Sequence, residues 1–133
     1  MPQLNCIVVT PERMVYEQQA DFVALTMFDG EIGIAPRHTP LIGRLGSGEM
    51  RITSEGSTHR YYIEGGFVEV LDDVITVLTN RAVPAGEIDE AVAREQLYSA
   101  LTKQAGTPEQ MAIRDRALSQ SRAQLRVARR TKS

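Results

Sequence analysis

The sequence is poor in the residues that most catalytic and metal chemistry needs. Cys6 is its single cysteine, so no disulfide can form within the chain, and it reads as a small buried thiol. With two histidines, His38 and His59, the chain lacks the nitrogen and sulfur ligands of a structural metal site. No uninterrupted apolar run approaches the ~18 residues of a membrane-spanning helix. Met1-Pro2-Gln3-Leu4 has neither the basic start nor the apolar stretch of a signal peptide, which sets the expectation of a cytoplasmic protein without direct membrane insertion. No serine or cysteine is paired with a base in a recognisable arrangement, so no catalytic residue and no cofactor is expected. The glycine-rich GRLGSGEMR at 43–51 lacks a Gly-Lys-Ser/Thr ending and opens no helix; it reads as a turn between strands, not a phosphate loop.

What is present is an ordinary soluble composition: 133 residues, 42% apolar and 24% charged. A chain of this size can bury roughly two-thirds of the surface it exposes when unfolded, enough for one core with an appendage. From Leu4 to about Ala82, short segments rich in Val, Ile, Thr, Tyr and Phe alternate with turn residues, the pattern of an all-β sandwich. Nine strands are read: Asn5 to Thr10, Arg13 to Gln18, Asp21 to Phe28, Glu31 to Ile34, Leu41 to Leu45, Gly48 to Ser54, Thr58 to Glu64, Gly66 to Leu71 and Val74 to Thr79. Asp29-Gly30, Gly46-Ser47-Gly48 and Glu55-Gly56-Ser57 supply residues that tolerate positive φ, and Asp72-Asp73 reads as a solvated hairpin tip.

Beyond Pro84-Ala85-Gly86 the period becomes helical. Asp89 is the expected N-cap of a helix running to about Gln104. Gly106 is expected to end it in a left-handed conformation, and Thr107 with Gln110 forms a capping box for a second helix from Pro108 to about Arg130. The short connection predicts an antiparallel two-helix hairpin after the sandwich. The domain division is therefore 1–86 and 87–133. Met111, Leu118 and Leu125 occupy heptad positions but are separated by Ala, Ser and charged residues, so the hairpin is expected to pack weakly and to be able to leave its seat.

Charge divides at the same place. Residues 1–86 carry 6 basic and 11 acidic side chains, a net of -5, and residues 87–133 carry 9 basic and 6 acidic, a net of +3. The last twelve residues, RAQLRVARRTKS, hold Arg122, Arg126, Arg129, Arg130 and Lys132 without an acid. Such a run is either a solvated helix face or a surface for an acidic partner. A free-standing module that binds nucleic acid or an acidic protein is one reading. Against nucleic acid, residues 107–133 contain no aromatic side chain on which a base could stack, and a net negative sandwich repels phosphates.

GEIGIAPRHTPLIGRLGSGEMRI, YYIEGGFVEVLDDVITVLTNRA, the EIDEA junction and AQLRVARRTK together resemble the epsilon subunit of bacterial F-type ATP synthase, in order and over nearly the whole chain. The resemblance implies a ten-stranded β-sandwich with a helix hairpin, and a non-catalytic central-stalk subunit at the cytoplasmic face of the plasma membrane. Its implied partners are the gamma subunit, the c-subunit ring and, in an inhibitory state, the alpha and beta subunits. Glu31 and Ile32 match the region facing the c ring, and Arg37 and His38 that at or near gamma. Arg122, Arg126, Arg129 and Arg130 would draw the second helix toward an acidic segment of beta and so restrain ATP hydrolysis. Some family members bind ATP through Ile/Leu-Asp-x-x-Arg-Ala with arginines of the second helix. Here Ile88, Asp89, Arg122 and Arg126 are the candidates, but Val92 stands where that motif has arginine. The departure predicts weak or absent ATP binding.

Overall fold

Alternation of side chains builds the core. On β1 (Leu4–Val9) Leu4, Cys6 and Val8 point inward and are fully buried. Ile75 and Val77 of β9 (Val74–Leu78) and Val68 and Val70 of β8 (Phe67–Leu71) lie beside them in the same sheet, and Met50 and Ile52 of β6 (Ser47–Ser54) face them from the other. Each such side chain contributes at most about 1.5 to 3 kcal/mol of transfer free energy. The computed structural model describes residues 3–132; Met1, Pro2 and Ser133 lie outside them. The remaining strands are β2 (Met14–Ala20), β3 (Phe22–Met27), β4 (Gly30–Ile34), β5 (Leu41–Arg44), β7 (Ser57–Glu64) and β10 (Ala82–Pro84). They form two five-stranded sheets, ordered β2-β1-β9-β8-β5 and β10-β7-β6-β3-β4. Pairing is antiparallel except between β1 and β9, which run parallel. Burial pushes the Cys6 thiol up to about 12, so it stays protonated and inert.

β10 corrects the count of nine. Its three residues pair with Tyr61, Tyr62 and Ile63 at a sheet edge, where Pro84 costs no interior ladder bond. The β8–β9 turn places Asp72 and Asp73 at φ of 51° and 62°, a two-residue turn with both central residues left-handed. Gly46 and Gly48 do not take positive φ as expected. Their need for glycine is close approach: a Cβ on Gly46 would lie 2.9 Å from the Met27 carbonyl oxygen, and one on Gly48 would lie 2.6 Å from Thr26 Oγ1.

A single 3-10 turn at Ala85–Glu87 leads to α1 (Glu90–Thr102) and α2 (Pro108–Lys132). Asp89 caps α1 as read, its carboxylate accepting from Ala91 N at 3.0 Å and Val92 N at 3.2 Å. The far end differs. α1 stops at Thr102, Lys103 is extended, and Gly106 is not left-handed. The Thr102 hydroxyl lies 3.1 Å from the Tyr98 and 3.2 Å from the Ser99 carbonyl oxygen, so terminal acceptors are met without a left-handed glycine. The second cap forms, with Gln110 N donating to Thr107 Oγ1 at 3.2 Å and Gly106 N donating to Gln110 Oε1 at 2.9 Å.

Candidate functional site

The basic end of α2 rests on the outer face of the β10-β7-β6-β3-β4 sheet. At about 100° per residue, Ser121, Leu125 and Ala128 share one helix face, and Ala123 and Val127 lie about 200° further round. All five are buried. Ala123 and Val127 pack on Tyr62, Ala85 and Ile88, a short apolar seam, while α2 also packs along α1. The same rotation sets the arginines. Arg122, Arg126, Arg129 and Arg130 occupy the exposed arc between these two buried faces, with Arg129 on its α1 side and Arg130 on its sandwich side. The side chain of Lys132 lies outside the described residues.

Those positions select their partners. Arg129 Nε is 3.6 Å from Glu90 of α1, and Arg130 Nη1 is 3.4 Å from Glu49 of β6. Glu49 is the centre of the cluster. Its neighbours Met50 and Ile52 turn into the core, so Glu49 and Arg51 share the outer face, where the β6–β7 register sets Arg51 opposite Arg60. Two like charges directly opposite repel. Glu49 answers both: Arg51 Nη1 donates to Oε1 at 2.9 Å, Arg60 Nε donates to Oε2 at 3.0 Å, and Arg60 Nη2 makes a further contact with Oε2. Under α2 the Glu49 side chain is only 4% exposed. Burial pushes its carboxyl up, but hydrogen bonds from Arg60 and Arg51 and the charges of Arg60 and Arg130 outweigh burial, and the net shift is downward. A groove of about 450 Å³ between α2 and the sheet is lined by Thr26, Glu31, Glu49, Arg126, Arg129 and Arg130, among others.

Sequence reasoning missed Glu49. The alternation of EMRIT places it on the outer face, and nothing local shows that a helix 81 residues on covers that face.

The expected rotor residues fall into two places. Glu31 and Ile32 lie on edge strand β4, with Glu31 Oε1 accepting from Arg51 Nη2 at 2.7 Å. Arg37 lies beyond the other end of β4 at φ 67°, and its N donates to Asp73 Oδ1 of the β8–β9 turn at 2.6 Å. Beside it, His38 Nδ1 donates to the Thr39 carbonyl oxygen at 2.7 Å. The nucleotide candidates also have separate engagements: Asp89 caps α1, Ile88 packs on the Tyr62 cluster, and Arg122 and Arg126 share a groove with Asp115, Leu118 and Ser119. Arg94 pairs with Glu90 at 2.9 Å and leaves the exposed Val92 without a charged substitute. Among the described residues there is no group of three or more His, Cys, Asp or Glu side chains placed to hold a metal ion, and no helix long and apolar enough to cross a membrane.

The sandwich matches the family model described as ATP synthase, Delta/Epsilon chain, beta-sandwich domain, over residues 3–85. An ATP synthase epsilon chain of Rhodopirellula baltica is 47% identical over 126 residues, covering 95% of this chain and 98% of that one. The chain belongs to the ATP synthase epsilon chain family. A second epsilon chain, from Herpetosiphon aurantiacus, is 37% identical over 123 residues, 92% of this chain and 84% of that one. Two solved structures share the fold. A chain in the Euglena gracilis mitochondrial ATP synthase OSCP/F1/c-ring structure superposes with a TM-score of 0.84 at 24% identity, covering 92% of this chain and 79% of that one. One in the Tetrahymena thermophila mitochondrial ATP synthase central stalk/c-ring structure gives 0.75 at 12% identity, covering 94% and 96%. The matches to these two epsilon chains span 126 and 123 residues, too long to stop at the sandwich; they carry the likeness into α1 and α2. A free-standing nucleic-acid module finds no support among these relatives.

Proposed function

We propose that this epsilon chain is a non-catalytic central-stalk subunit of a rotary ATP synthase, coupling ion-driven rotation to ATP synthesis and restraining ATP hydrolysis through its helix hairpin. The observation that carries the reading is the likeness to an epsilon chain over 98% of that chain's length, hairpin included. The two structures that share the fold are of F1 with the c ring and of the central stalk with the c ring, which supports placing the chain among those parts. The sandwich, residues 1–86, is the rotor-binding module, and residues 87–133 are the regulatory one. Glu31 and Ile32 face the c-ring loops, and Arg37 and His38 face gamma. In the inhibitory state the hairpin reaches the alpha and beta subunits, where Arg122, Arg126, Arg129 and Arg130 meet an acidic surface. The assembly sits peripherally on the cytoplasmic face of the bacterial plasma membrane. No cofactor is needed, and Val92 predicts weak or no ATP binding by Ile88, Asp89, Arg122 and Arg126.

Affinity capture of the tagged chain from detergent-solubilised native membranes tests this. Gamma and the c subunit are expected in the eluate, and Glu31→Lys with His38→Glu should reduce their recovery while leaving the sandwich folded. Recovery of the chain alone would contradict the reading.

A further inference from the structure

Two ion pairs at the end of α2 differ in what they join. Arg129 to Glu90 links α2 with α1, so it can travel with the hairpin as a unit, whereas Arg130 to Glu49 links α2 with the sandwich. We propose that Glu49 is the anchor holding the C-terminal end of α2 on the sandwich, and that Arg130 is the charge it releases when the hairpin departs. This rests on the reading that the hairpin moves.

Three observations support the assignment. The apolar seam beneath α2 is small, with Ala123 and Val127 set against Tyr62, Ala85 and Ile88, so a charge contact at its margin weighs in the balance. The other nearby acids are engaged elsewhere: Glu31 by Arg51, and Glu90 by Arg94 and Arg129. Departure of α2 also leaves no stranded charge, because Glu49 keeps Arg51 of β6 and Arg60 of β7. Because α2 is the cover that buries it, Glu49 returns to solvent on release with both sandwich arginines still paired, so breaking the contact leaves no buried unpaired carboxylate. Sharing one carboxylate among three arginines makes the contact both specific and easily broken. Among the described residues, the charged groups on Glu49 are Arg51, Arg60 and Arg130, with Glu31 of β4 behind Arg51 and Tyr62 opposite Glu49 across the β6–β7 pair.

The test measures the distance between spin labels on Ser119→Cys of α2 and Thr58→Cys of β7 in the isolated full-length chain; both sites are exposed, and Cys6 is buried. Arg130→Gln, whose side chain is 61% exposed and whose loss leaves the sandwich intact, should raise the ratio of released to seated hairpin by roughly 1.5- to 5-fold, the range of a solvent-screened pair. Glu49→Gln should act in the same direction, and the double variant should go no further than the stronger single one. Arg129→Gln should leave the ratio unchanged. An unmoved ratio in Arg130→Gln, additivity in the double variant, or an equal response to Arg129→Gln would each overturn the proposal. The measurement needs no partner subunit. If the ratio stays fixed while removal of residues 87–133 raises ATP hydrolysis by the complex, the anchor falls and the proposed function stands; the opposite pair of results removes the proposed restraint of hydrolysis and keeps the anchor.

Discussion

Glu49 shows how much one residue can organise, since it holds arginines from β6, β7 and α2 around a single nearly buried carboxylate. Because its folded pKa is lowered, its stabilisation is fully present above the ordinary carboxylate range. It is lost as pH falls through that range and then through the lower folded value. Glu49→Gln is therefore expected to cost about 1.5 to 3 kcal/mol in urea unfolding near neutral pH, the worth of a charge-assisted hydrogen bond, and the gap should close in acid. A gap of equal size at both pH values would show that the charge is not the cause. The arginines of α2 were legible in the sequence because their spacing is local. Glu49 was not, because its burial comes from a cover placed by tertiary packing.

At the scale of elements, punctuation decided what could be read. The turn at Asp72-Asp73 and the cap at Asp89 are chemistry within a few residues, and both form as expected. β10 escaped because a three-residue strand containing Pro84 is defined by its neighbour β7, not by its own pattern. Gly106 misled because Thr102 had already satisfied the end of α1. Met111, read as a seam position, is 47% exposed, and Ile113 is 56% exposed; the packed part of α2 begins further along, at Ser121. α1 has few apolar anchors, with Val92, Tyr98 and Leu101 all exposed. A helix of 13 residues with so little packing depends on its cap. Asp89→Ala should cost about 1 kcal/mol of helix stability. Hydrogen exchange at Ala91 to Arg94 should quicken while the strands keep their protection. Unchanged exchange there would mean that α2, not the cap, holds α1.

The whole molecule joins a net negative sandwich to a net positive hairpin, -5 against +3. Within one chain that complementarity is spent partly on Glu49, Arg129 pairs inside the hairpin with Glu90, and Arg122 and Arg126 are exposed. The two modules are held by charge and a short apolar seam around Tyr62, which suits the proposed exchange of the sandwich for an acidic partner. On the proposed function, screening should weaken both contacts, and the hairpin's effect on the complex is expected to depend on ionic strength. A chain ending at Gly86 keeps all ten strands, β10 included. The most direct test is the ATP hydrolysis rate of one reconstituted complex carrying the full-length chain, the chain ending at Gly86, or the chain with Arg122, Arg126, Arg129 and Arg130 neutralised. The account predicts the lowest rate with the full-length chain, the highest with the truncated one and an intermediate rate with the neutralised one; equal rates for all three would contradict it.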